Sequence, residues 1–138
     1  MSEELIANDM NTQLILIAGF SASGKSASLR NLRNQERWLY LNTEAGKRLP
    51  FRNKFQSYNI EDPYQIWEAF DAASPGGDMV DDIDGIIIDS ATFMMDMLES
   101  QYVLPSANTQ KAWGDFAQFF KVLLQEKVVK FGKPVIVI

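Results

Sequence analysis

Residues 13–26 read QLILIAGFSASGKS, an apolar run followed by a glycine-bounded stretch. The first part, QLILIAG (13–19), has the continuous apolar and β-branched content of a buried strand. The second, GFSASGKS (19–26), matches G-x-x-x-x-G-K-[ST] in full. A short helix is expected to follow from Lys25 to about Leu32. Strand, glycine loop and helix in that order restrict the chain to an α/β fold that opens a phosphate cradle at a strand end. Gly19 and Gly24 let the backbone wrap closely around a polyphosphate, and amides from Ala22 to Ser26 point at its oxygens, near the helix start. Lys25 bridges the β- and γ-phosphates, and the Ser26 hydroxyl is a ligand for Mg²⁺. The expected nucleotide-binding set is Gly19, Phe20, Ser21, Ala22, Ser23, Gly24, Lys25, Ser26 and Ala27.

Beyond the loop, strand and helix patterns alternate. WLYLN (38–42), GIIID (85–89) and PVIVI (134–138) read as strands, and FQSYN (55–59) as a short edge strand. Asp62 with Pro63 opens a helix to about Ala73, with Ile66, Trp67 and Phe70 as its buried stripe. A second helix runs through the Met-rich segment near 91–101, where Met94, Met95 and Met97 are read as packing residues. Trp113, Phe116, Phe120, Leu123, Leu124 and Val128 recur at helical spacing, with Gly132 as the stop. The pattern predicts one α/β domain over residues 1–138 with a mostly parallel sheet.

A P-loop protein needs a carboxylate at the end of a neighbouring buried strand to hold magnesium, and IIID places Asp89 there. Asp81, Asp82 and Asp84 precede the same apolar run and fall at its other end, as a solvated turn. Directly after Asp89 stands Ser90, so the carboxylate that orients an attacking water must come from elsewhere. Glu44, just past WLYLNT, is the candidate catalytic base; its alternative is a loop acid paired with Lys47 or Arg48.

Strand-end Glu44 in TEAG, a long intervening segment, and IIIDSA with Asp89-Ser90 resemble the RecA/RadA recombinase ATPase core, including phage RecA-like ATPases of recombination and single-strand annealing. The resemblance spans about residues 13–138. It implies a three-layer, RecA-like P-loop NTPase fold, with Lys25 and Glu44 catalytic, Ser26 and Asp89 on Mg²⁺, and ATP as the nucleotide. It also implies a homo-oligomer, single-stranded DNA as partner, and a role in phage recombination or replication. The chain departs from the family by stopping at PVIVI, which is read as the end of an N-terminal fragment truncated at the C-terminus. The family resemblance further implies that 134–138 inserts in parallel between 13–19 and 85–89. YVLPSANTQ (102–110), where a DNA-binding loop would fall, carries no basic residue.

Composition narrows the chemistry. The 138 residues contain no cysteine and no histidine, which removes disulfides, thiolate nucleophiles and the usual transition-metal ligands. What remains is carboxylates, Lys, Arg, hydroxyls, backbone amides and a hard cation. Net charge is −5, but residues 25–55 hold eight Lys/Arg against two Glu, while 56–99 hold eleven acidic residues and no basic one. The basic stretch Arg30, Arg33, Arg37, Lys47, Arg48, Arg52 and Lys54 reads either as a solvated face or as a DNA contact. No apolar run is long enough to span a membrane, and MSEEL lacks a signal peptide's basic start, so a cytoplasmic chain is expected (host cytoplasm if phage-encoded). Two alternatives share the P-loop: a small nucleotide or nucleoside kinase, and a non-hydrolysing nucleotide-binding interaction module.

Overall fold

The structure, a computed structural model, describes residues 13–19 and 24–138. Among the described residues, five parallel strands form one sheet: β1 (Leu14–Leu16), β2 (Trp38–Asn42), β3 (Gln56–Asn59), β4 (Gly85–Asp89) and β5 (Val135–Val137). Their order is β1-β5-β4-β2-β3. β5 lies between β1 and β4, with Val135 in register with both Leu14 and Ile86. That is the insertion expected for 134–138, and β3 is the expected edge strand, paired with β2.

Every residue of β2 and β4 is buried, which requires cover on both faces. Alternation along the strands divides the cover. Leu39, Leu41, Ile86, Ile88 and Val135 pack against Ile66, Phe70, Met94, Leu98, Phe119 and Leu123 of the helical layer. Trp38, Tyr40, Ile87 and Ile136 face the other way, towards Leu29 and Phe55. Among the described residues this second layer is the smaller one. The helix expected after the glycine loop is a six-residue 3-10 helix, Ser26–Asn31, because Ser28 bonds back to the Lys25 carbonyl and Leu32 N–H to Leu29, tightening the turns.

On the thick side, α1 (Tyr64–Ala73) starts where Asp62 Oδ1 accepts from Tyr64 N–H at 3.0 Å, while Gln65 Oε1 accepts from the Glu61 and Asp62 amides. This reciprocal arrangement satisfies amides that the helix start leaves unpaired. Ile66 and Phe70 are fully buried, as expected; Trp67 is only half-buried. α2 (Ala91–Leu98) is capped by Ser90 and continues into a π turn, Glu99–Val103. Met94 is buried and Met97 packs on the core, but Met95 is exposed and does not pack as the sequence suggested.

The last helical stretch corrects the expected stripe. α3 (Thr109–Val122) runs through a π turn (Leu123–Lys127) into α4 (Val128–Phe131), which stops at Gly132 with φ 70°. The buried residues are Ala112, Phe119, Leu123, Val128 and Phe131, whereas Trp113 and Leu124 are 46% and 45% exposed. The π turn adds one residue between Leu123 and Val128 and rotates the later positions, which an unbroken 3.6 period cannot anticipate. The strand expected over 13–19 is also corrected. β1 is three residues long, pairs with β5, and leaves Ile15 and Leu16 exposed. Among the described residues no helix is long and apolar enough to cross a membrane.

Trp38 lies opposite Gly85 across β2 and β4, and a Cβ at Gly85 would come within 2.5 Å of the Trp38 ring. Gly85→Ala should therefore cost about 1–3 kcal/mol of stability by overpacking. Urea unfolding followed by tryptophan fluorescence would measure it; an unchanged midpoint would mean the ring has room to shift.

Candidate functional site

The carboxyl ends of β2 and β4 and the loop after β1 open onto one cleft of about 750 Å³. Asp89 is the last residue of β4 and lies in register with Asn42 at the end of β2. Period-two alternation turns Asp89 to the face that holds Ile87 and Tyr40. There it is fully buried, at 0% exposure. A carboxylate without water needs donors and a cation. Tyr40 donates its hydroxyl to Asp89 Oδ2, Ser26 Oγ donates to the same oxygen at 2.8 Å, and Lys47 Nζ stands 3.3 Å from both oxygens. The Tyr40 phenol is pushed well above its ordinary range, first by burial and then by its bond to Asp89.

Ser26 opens the 3-10 helix, two residues after Gly24, whose φ of 88° suits a residue without a side chain. Lys25 Nζ donates to the Gly19 carbonyl at 2.9 Å. Gly24, Lys25, Ser26 and Ala27 all line the cleft. Phe20, Ser21, Ala22 and Ser23, expected in the same loop, lie outside the described residues.

Glu44 reaches the cleft from a turn after β2. The buried Asn42 side chain closes this turn: its Oδ1 accepts from Glu44 N–H at 3.0 Å and its Nδ2 donates to the Lys47 carbonyl at 2.8 Å. Lys47 N–H donates to the Glu44 carbonyl at 2.7 Å, and Gly46 takes the positive φ of 79° that the reversal needs. The turn thus points Glu44 and Lys47 to one side, with Lys47 Nζ 3.4 Å from Glu44 Oε2. Glu44 is therefore in the cleft beside Asp89 and is also the loop acid paired with Lys47. The two strand ends are clamped as well. Thr43 Oγ1 accepts from Ser90 N–H at 2.7 Å and donates to the Ser90 carbonyl at 2.9 Å, and Thr43 N–H bonds the Asp89 carbonyl. The Asp89–Ser90 peptide is cis.

Sequence reasoning passed over Tyr40 and Lys47 as members of this site. Tyr40 reads as one more apolar strand residue, and its parity with Asp89 emerges only once β2 and β4 are aligned. Lys47 carries a weak signal, three residues from Glu44, but its bonds to Ser26 and Asp89 span 21 and 42 residues. The aspartates at the other end of β4 stay away from the cleft. Arg37 Nε bonds Asp84 at 2.6 Å and its Nη2 the Asp81 carbonyl at 2.6 Å, and the guanidinium holds the Asp84 carboxyl below its usual range. Of the acidic groups read from the sequence, the structure brings Glu44 and Asp89 together and leaves Asp81, Asp82 and Asp84 apart.

The arrangement offers an oxygen pair, Ser26 and Asp89, beside a second carboxylate and two ammonium groups. Such a set can hold a hard cation together with an anion, and can accept a proton at Glu44. No protein-family model matches the chain, and no curated protein sequence matches it.

Tyr40→Phe should lower stability by about 2 kcal/mol at neutral pH, because Asp89 loses a donor it cannot replace with water. The phenol's folded-state ionisation is raised, so its contribution is complete below an ordinary tyrosine's value of about 10 and is lost as pH rises through the folded value. The gap between the native protein and the variant should narrow in strongly alkaline urea titrations. A gap that widened there would contradict the assigned donor role.

Proposed function

We propose that this chain is an ATP-binding, Mg²⁺-dependent ATPase of RecA-like type, acting on single-stranded DNA as a homo-oligomer in phage recombination or replication, in the host cytoplasm. The observation that carries the reading is the meeting of Ser26, Asp89 and Glu44 in one cleft with Lys25, although they come from three separate strand ends. The strand order supports the same reading over the kinase one, because β5 separates β1 from β4 rather than leaving them paired.

The donor set suits magnesium carried by a nucleotide. Mg²⁺ is usually held by one or two protein oxygens with substrate phosphates and waters, not by an all-protein cage. Among the described residues no group of three or more acidic side chains could hold a metal alone. An ammonium, that of Lys47, already sits among Ser26, Asp89 and Glu44, so the position accepts a cation. Ser26 and Asp89 would hold Mg²⁺, which supplies charge to offset that developing on the transferred phosphoryl group.

The chain's residues do the rest. Lys25 and the loop amides bind and orient the β- and γ-phosphates and stabilise their oxygens as charge shifts. Glu44 aligns a water with the γ-phosphorus and takes its proton as the new P–O bond forms. The bond to the β–γ bridging oxygen breaks, and the electron pair leaves with ADP. Tyr40 keeps Asp89 fixed while this happens.

Arg48 and Arg52 are exposed around an adjoining cleft of about 690 Å³, which shares Lys47 with the first and has Phe51 and Asn53 on its wall. Cationic side chains interleaved with an aromatic residue suit a single strand. This favours the DNA reading of the basic stretch, although Arg37 is committed to Asp84.

Lys25→Ala should weaken ATP binding by about a hundredfold or more in calorimetry, since it removes a charge-assisted contact to phosphate. Glu44→Gln should leave binding intact and slow phosphate release by about 10²–10⁴. Equal turnover would remove Glu44 from the base role. Turnover that appears only with a nucleoside acceptor would favour the kinase, and binding without turnover the interaction module. Charge reversal at Arg48 and Arg52 should flatten the salt dependence of single-strand binding by roughly 0.7 log units per lost phosphate contact. An unchanged slope would return the pair to the solvated surface.

A further inference from the structure

We propose that the Lys47 ammonium is the resident cation of the magnesium position, and that it makes metal binding conditional on nucleotide. Lys47 Nζ lies 2.8 Å from Ser26 Oγ, 3.3 Å from both Asp89 oxygens and 3.4 Å from Glu44 Oε2. Two of these are the groups that would ligate Mg²⁺, and the third is the one that would orient water. The inference rests on the nucleotide-binding reading for the role of the site, but its geometry is independent of it.

Mg²⁺ bonds oxygen at about 2.0–2.1 Å, so a metal held by Ser26 and Asp89 needs the space that the ammonium fills. Two cations cannot share one fully buried carboxylate without strong repulsion. Lys47 must therefore leave when the metal arrives, and only its side chain can do so. Its amide is bonded to Glu44 and its carbonyl to Asn42, within the turn pivoting on Gly46. The displaced ammonium needs a new anion, and in this cleft the phosphates between Lys25 and the Glu44 turn provide it. Metal alone brings no such anion. It would have to strip a buried carboxylate of its partner and leave the ammonium unpaired, which is unfavourable. With the ammonium drawn away, Glu44 is released to hold water. Lys47 is thus a positioning residue that couples metal entry and the freeing of Glu44 to nucleotide arrival.

The test is Mn²⁺ binding without nucleotide, read by electron paramagnetic resonance on the native chain, Lys47→Met and Lys47→Arg. Lys47→Met should bind Mn²⁺ about tenfold more tightly or better, because Asp89 is left buried without a cation. Lys47→Arg should stay with the native protein. The gain should vanish in Lys47→Met combined with Asp89→Asn. Equal affinity of the native chain and Lys47→Met, an equal gain in Lys47→Arg, or a gain that survives Asp89→Asn would each overturn the proposal. Circular dichroism checks the fold, and Lys47→Gln replaces Lys47→Met if the latter does not fold. A parallel titration with a fluorescent ATP analogue tests the nucleotide reading separately. Absence of analogue binding alongside the Mn²⁺ gain would reject the ATPase and keep the metal-position role of Lys47.

Discussion

A carboxylate with no access to water sits at the end of the central strand β4, and the site is organised around satisfying it. Asp89 has 0% exposure and takes donors from three separate places: Tyr40 on β2, Ser26 after the glycine loop and Lys47 in the turn beyond β2. An unpaired charge there would destabilise the fold by several kcal/mol, so each partner is held in place by folding itself. The cost of burying one charge is converted into a fixed geometry among residues far apart in sequence.

Strand order makes that convergence possible. In a parallel sheet all carboxyl ends point one way, so Asp89, Asn42 and the residues after β1 emerge on the same edge. β5 between β1 and β4 sets the spacing, so that a hydroxyl from the loop after β1 meets a carboxylate from β4. The Thr43–Ser90 clamp then locks β2 to β4 beyond the last ladder pair. Glu44 follows Thr43 directly and inherits its position from that clamp and from the Asn42-closed turn.

Among the described residues, charge is balanced within the cleft. Two carboxylates, Asp89 and Glu44, face two ammonium groups, Lys25 and Lys47, and in this form one ammonium is bonded to a carbonyl while the other is shared between both acids. Both lysines have flexible stems and modest pairing distances. Tyr40 and Asn42, by contrast, are buried on the strands.

Local pattern was enough for much of this. The β-branched runs, Asp62-Pro63 and Gly132 announced strands and helix ends, because those signals depend on near neighbours and backbone preference. Asp89 at a strand end and the exclusion of Asp81, Asp82 and Asp84 followed from position along one apolar run. Sequence periodicity misplaced Trp113, where the buried face of the helix runs through Ala112 and Phe119 instead, and Leu124, which falls in a π turn that no local period encodes. It also overstated the burial of Ile15 and Leu16 in β1, whereas the short helix expected from Lys25 to about Leu32 is present as a 3-10 helix, Ser26–Asn31. The partnership of Tyr40 and Lys47 with Asp89 needed β2 and β4 aligned and a turn folded back over their ends. A buried carboxylate selects its partners by distance in space, and that distance exists only in the assembled sheet.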